Sequence, residues 1–162
     1  METAEGGETK DMGKNTVEIR LMEIDDYDRV YALWMSCKNM GFNNLDDSRE
    51  GIEKYLRRNP KTSFIAAQGE NVVGVILSGH DGRRGFIHHM AVAESHRRQG
   101  IASALLDHAL TALKEEGINK TALLVFKRNE AGNAFWEAKG FTARDDVAYR
   151  NKELAELIRI DT

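Results

Sequence analysis

Apolar and polar residues alternate over 17–21, where Val17, Ile19 and Leu21 are set between Glu18 and Arg20. That period of two predicts a strand with one buried face. The period then lengthens. Asp25 and Asp26 offer an N-cap for a helix running to about Lys38, with Tyr27, Val30, Tyr31, Leu33 and Trp34 on its apolar side. Residues 39–45, which include Gly41, Asn43 and Asn44, read as a loop. A second helix, capped by Asp46 or Asp47 and carrying Ile52, Tyr55 and Leu56, runs to Arg58, and Pro60 closes it off. Residues 63–68 and 72–79 are two strands joined by the short turn Gly69-Glu70-Asn71. A second turn, 80–85, leads into a strand over 86–93, so the middle of the chain is an antiparallel meander.

Helical spacing returns after Gly100: Ile101, Leu105, Leu106, Ala109, Leu110 and Leu113 share one face, and Gly117 is the stop. Residues 121–126 are almost continuously apolar, which predicts a strand buried on both faces. Reached through a helix, it lies parallel to its predecessor. A short helix over 129–139 turns Ala131, Ala134, Phe135 and Ala138 inward and ends at Gly140. Residues 141–144 and 147–151 then predict a last hairpin around Asp145-Asp146, and 154–160 a short tail element. The element order predicts a single α/β domain with a mixed, mostly antiparallel sheet and helices on both faces.

Composition narrows the picture without changing it. At 162 residues, 41% hydrophobic and 30% charged, the chain is long enough for one well-filled core over 16–162. Residues 1–15 are rich in Glu, Gly, Thr and Lys and predict a disordered tail. The net charge of −3 gives no global basic character for nucleic acid or an anionic membrane. No window approaches the roughly 18 apolar residues of a membrane span, and no signal-peptide core follows Met1. The single cysteine, Cys37, excludes an internal disulfide and fits a cytoplasmic protein. No metal is expected.

The chemistry points to one bend. Between the strand over 86–93 and the long helix lies Glu94-Ser95-His96-Arg97-Arg98-Gln99-Gly100. A glycine-containing turn opening a helix aims free backbone N–H groups, and the positive end of the helix dipole, at one point. That is a site for a phosphate or pyrophosphate. The same residues also suit a tight bend with a solvated basic face. Arg97-Arg98-Gln99-Gly100-Ile101-Ala102 matches Arg/Gln-x-x-Gly-x-Gly/Ala, and Asn129, Trp136 and Gly140-Phe141 follow at the spacing Asn, seven residues to Tyr, four to Gly-Phe. On these residues the chain, over about 17–154, resembles the GCN5-related N-acetyltransferases (GNAT).

The resemblance implies an acyl-CoA N-acyltransferase fold with splayed central strands, and acetyl-CoA as cosubstrate in the gap between them. It implies direct attack, in a ternary complex, by a primary amine of a small molecule or a protein, and it leaves a homodimer open. Backbone amides of Arg97, Arg98, Gln99, Gly100, Ile101, Ala102 and Ser103 would hold the pyrophosphate. Met90, Ala91 and Val92 would pair with the pantetheine arm, one of their N–H groups polarising the thioester carbonyl. Asn129 would touch the cofactor, although Asn at a helix N-cap is also favoured locally.

Two family positions depart from the pattern. Leu124 stands where one branch has a glutamate base, and Trp136 where the family has a tyrosine acid. An alkylamine, with a pKa of about 10, needs a base before it attacks. His88 and His89, on opposite faces of the central strand by simple alternation, are the candidates, with Tyr149 as a substitute acid and Trp136 as a packing surface for the cofactor arm. Asn43, Asn44 and Asp81, with Asp46, Asp47 and Arg84, are candidates for the acceptor pocket, where helix caps and turn formers are equally at home. The two departures also admit a catalytically weak acyl-CoA-binding module of the same fold.

Overall fold

In the computed structural model, which describes residues 16–161, five strands form one sheet in chain order: β1 (Val17–Leu21), β2 (Phe64–Gln68), β3 (Asn71–His80), β4 (Gly85–Val92) and β5 (Thr121–Leu123). Neighbours are antiparallel except β4 and β5. That pair is parallel because α3 (Ile101–Glu115) carries the chain back across one face before β5 begins. α1 (Tyr27–Ser36) and α2 (Arg49–Arg58) cover the other face. α4 (Glu130–Ala138) joins α3 on its side.

The sheet is therefore apolar on both faces, which is why β3 reads as an almost unbroken buried run from Val73 to Gly79. Val75, Leu77 and Ala91 meet Val30, Leu33, Trp34, Phe42 and Ile52 in one layer. Ala66, Ile76 and Ile87 meet Ile101, Leu105, Leu106 and Ala109 in the other. This is the expected mixed α/β sandwich. The tail expected over 1–15 lies outside the described residues.

Four local expectations are corrected. The strand predicted over 121–126 pairs only through Leu123, and its residues are half-buried or exposed, with Leu124 54% exposed. β5 is the edge of the sheet and parts from β4 after that point, so an apolar run that looks central is peripheral. The hairpin predicted over 141–151 does not form. No strand is present there, and Val147 and Tyr149 are 60% and 66% exposed. The tail element over 154–160 reduces to a single antiparallel bridge between Asn43 and Arg159. Lastly, α2 is capped by Ser48, whose Oγ accepts from Gly51 N at 3.0 Å, and not by Asp46 or Asp47. Asp26 does occupy the N-cap position of α1. Its buried carboxylate, however, accepts the Arg20 fork at 2.7 and 2.9 Å, Arg29 at 2.8 Å and Glu23 N at 2.9 Å instead of capping the helix.

Candidate active site

The β3–β4 ladder breaks its register once inside β4. Leu77 pairs with His89 and Ser78 with Ile87, so His88 is an extra, unpaired residue. Such a bulge bends the strand and re-aims its side chains. Here it puts two consecutive side chains toward the same helical layer, against the opposite faces that simple alternation predicts. The His88 ring stands edge-on to Tyr55 of α2 at 5.3 Å between centroids and lies 4.7 Å from Phe86. The His89 ring packs edge-on to Trp34 of α1 at 5.2 Å and to Phe42 at 4.5 Å.

The two histidines do different things. His89 is nearly enclosed, and its Nε2 bonds Asp47 Oδ1 at 2.7 Å. The other Asp47 oxygen accepts Asn43 N at 2.8 Å, and its backbone carbonyl accepts the Tyr27 hydroxyl at 2.7 Å. Asp47 is thus a knot between β4, α1 and the loop before α2. His88, by contrast, makes no side-chain hydrogen bond among the described residues and is exposed to a cavity. Its surroundings are dense enough that desolvation, helped by neighbouring His89, lowers its pKa below the ordinary imidazole value, with Asp47 and Asp46 pulling weakly the other way. The ring is open to the cavity yet crowded, and a concave, partly wet wall screens less than open surface.

That cavity holds about 910 Å³ and is walled by α2, the 39–47 loop, β4, residues 124–126 and the segment from Tyr149 to Leu157. A second, smaller cleft of about 60 Å³ adjoins it where β4 and β5 part, lined by Met90, Leu123, Leu124, Val125, Asn129 and Trp136. His88 and His89 line both. β4 and β5 pair only from Gly85↔Thr121 to Ile87↔Leu123. Beyond that, Met90, Ala91 and Val92 stay bonded to β3 on one side, opposite Ile76, Val75 and Gly74, and carry no strand on the other.

At the end of β4 the chain turns into α3 through left-handed backbone at Arg98 (φ 63°) and Gly100 (φ 80°). Gly100 is the N-cap and provides no side-chain bond, so the first-turn N–H groups of α3 have no cap from it, and no acidic residue lies in that turn. Alternating backbone handedness and an uncapped helix start together make an anion cradle. A Cβ on Gly100 would meet nothing within 4 Å, so its φ is the constraint. Gly100→Ala is expected to raise the KM for a ligand whose phosphates use this turn by about tenfold, the equivalent of 1–2 kcal/mol of left-handed strain. Steady-state kinetics against acetyl-CoA would measure it, and an unchanged KM would remove the cradle from the account.

Residues 27–141 match the acetyltransferase (GNAT) family. The chain belongs to that family. An acetyltransferase of Sodalis glossinidius is 31% identical over 140 residues, covering 86% of this chain and 97% of the relative. Among solved structures, Ard1 from Thermoplasma volcanium superposes with a TM-score of 0.69 at 24% identity, covering 78% of this chain and 82% of that one. PaiA N-acetyltransferase from Thermoplasma acidophilum, in complex with coenzyme A, gives 0.69 at 18% identity, covering 82% and 93%. These two share the fold.

This acetyltransferase is an acetyl-CoA-dependent N-acetyltransferase that acts on amines. Its own geometry fits the cosubstrate: an uncapped cradle at Gly100, a strand edge left open from Met90 to Val92, and a cleft between parted strands. Among the described residues no helix is long and apolar enough to cross a membrane.

The sequence-derived site residues divide into three groups. Met90, Asn129, Trp136, His88 and His89 come together at the cleft, and Tyr149 and Asn43 line the larger cavity. Arg97, Arg98, Gln99 and Gly100 lie exposed at the turn, and Ile101, Ala102 and Ser103 form the first turn of α3. Asn44 and Asp81 do not line the cavity. Asn44 bonds Ile158 through both its backbone and its side chain, and Asp81 accepts Arg83 N and Arg84 N as a turn former. Asn129 does cap α4, accepting Gly132 N at 2.9 Å. Lys54, Tyr55 and Arg58 are not marked as site residues by the sequence pattern. With Gly51 they line the cavity at spacing i, i+3, i+4, i+7, one stripe of α2.

Proposed function

We propose that the acceptor amine attacks directly while both substrates are held, with His88 as general base. The observation that supports this most is the bulge. It places an imidazole without a hydrogen-bonding partner where the acceptor cavity and the cofactor cleft meet. A lowered pKa keeps that imidazole neutral at pH 7, the form that accepts a proton. A free alkylamine is about one part in a thousand unprotonated at that pH, so a base at this wall has work to do.

Acetyl-CoA supplies the activated acetyl group. Around it, the open edge from Met90 to Val92 offers backbone N–H groups to the pantetheine amides and to the thioester oxygen. Trp136, edge-on to Phe135 at 5.0 Å and Phe141 at 5.1 Å, is a fixed apolar wall of the cleft. Its indole N–H donates a hydrogen bond but no proton. Two phenols line the larger cavity. Tyr55 has its hydroxyl buried over Gly79, where burial pushes its pKa up. Tyr149, exposed on the wall of the larger cavity, is the phenol this reading uses to return a proton.

Free-thiol release from acetyl-CoA across an amine panel, with products identified by mass, tests the reading. Amine-dependent release with a gain of one acetyl group on nitrogen is expected. Tight coenzyme A binding with no acetylated product would overturn it in favour of a binding module.

A further inference from the structure

α2 carries four basic residues, and they are not equivalent. Arg57 pairs with Glu53 at 3.2 Å, and Arg49 with Asp28 at 3.7 Å, both off the cavity. Lys54 and Arg58 are the two that line the cavity, one helical turn apart, and among the described residues neither makes a hydrogen bond or a salt bridge. A solvated face accounts for Glu53 and Arg57, which neutralise each other. Lys54 and Arg58 are exposed as well, but they open onto the cavity, on the stripe that also carries Tyr55, the residue against His88.

The cavity's carboxylates do not cancel them. Asp46 accepts Asn43 Nδ2 at 3.0 Å and Asp47 is committed to His89 and Asn43 N. Both belong to the loop beside the histidines. Asp81, whose charge is felt from Arg58, lies outside the lining and is held by two backbone N–H groups. On the far wall Lys152 and Glu153 are neighbours of opposite sign. The lining is therefore negative near the histidines and positive along the last turns of α2. With a rise of about 1.5 Å per residue, Lys54 and Arg58 stand only about 6 Å apart along the axis and within a side chain's reach of Tyr55.

Resting on the acetyltransferase reading above, we propose that Lys54 and Arg58 bind an anionic group of the acceptor. The preferred substrate is then a compact amine that also bears a carboxylate or a phosphate, as an amino acid or an amino-alcohol phosphate does. A polycationic amine fits this lining poorly, since like charge across a concave wall is unfavourable.

Matched pairs test this. L-Phenylalanine is compared with phenethylamine, and phosphoethanolamine with ethanolamine, by kcat/KM in the wild type, in Lys54→Gln/Arg58→Gln and in Arg58→Lys. The wild type is expected to prefer the anionic member of at least one pair by about tenfold or more, the worth of a charge-assisted hydrogen bond. Which pair shows it identifies the anion as carboxylate or phosphate. In the double variant the ratio falls to about twofold or less through the KM of the anionic member, while Arg58→Lys, which keeps the charge, retains most of it. A wild type that prefers the neutral-tailed amines, or a ratio that survives the double variant at unchanged Tm, overturns the inference and leaves the transferase reading intact. Failure to acetylate any of the four while another amine of the panel is acetylated overturns this inference alone; failure across the whole panel while coenzyme A still binds overturns both.

Discussion

Replacing His88 by alanine is expected to lower kcat/KM for the amine by about 10²–10⁴-fold, the usual share of a positioned general base. The fold should tolerate the change. His88 is exposed, stands outside the β3–β4 ladder, and among the described residues makes ring contacts with Tyr55 and Phe86 alone. Losing such contacts costs about 1 kcal/mol, a Tm shift of a few degrees in a chain of this size. The pH profile carries the sharper signature. Because desolvation lowers the pKa of His88, the wild-type rate should stay independent of this group at neutral pH and fall with slope one only as the pH drops through a value below the ordinary 6.5. In His88→Ala that acid limb disappears and only the titration of the amine itself remains. A variant within threefold of wild type, or one that keeps the limb, would mean that another group or solvent takes the proton.

Asp47→Ala should produce a large loss of stability for a polar residue of the cavity, about 2–4 kcal/mol, with Tm lower by roughly 5–15 °C. Its carboxylate is 6% exposed and accepts from two donors that have nowhere else to go: His89 Nε2 at 2.7 Å and Asn43 N at 2.8 Å. Among the described residues His89 Nδ1 already lacks a partner, so the ring would be left with none at either nitrogen. Asp47→Asn keeps one acceptor oxygen and turns an N–H₂ toward the other donor, so about half the loss is expected. Thermal unfolding of the two variants side by side checks the order. Equal stabilities for wild type and alanine would show that the pair is replaceable by water.

The parts of the site that were legible in the chain are those fixed by local backbone chemistry. Arg97 to Ala102 announced a strand-to-helix turn because only glycine is at ease at φ 80°, and the structure has that geometry at Gly100. The core faces of α1, α2 and α3 were likewise readable from helical spacing. Features decided by neighbours were not. Leu124 belongs to an apolar run that looks like a central strand, and nothing in the run says that the next strand is missing. Val147 and Tyr149, two residues apart between Asp146 and Arg150, could share one face of a strand, yet no partner strand is offered to them. The bulge at His88 escapes periodicity altogether, because one extra residue changes a face without changing composition. Lys54 and Arg58 are hidden for a related reason: a charge on an amphipathic helix reads as solvent-facing until a cavity is seen beside it.

The segment that closes the larger cavity is tethered at its two ends and little between. Phe141 N bonds Trp136 O, and at the far end Asn44 N bonds Ile158 O, Ile160 N bonds Phe42 O, and the Asp161 carboxylate accepts Gly41 N and Phe42 N at 2.9 and 2.8 Å. No backbone hydrogen bond ties 142–157 to the rest of the described residues, and Leu154 is 95% exposed. The larger cavity is thus stiff along β4 and α2 and lightly tethered opposite, like a jaw with one padded side. If the amine sits there as proposed, its charge meets the stiff wall and the rest of it the padded one.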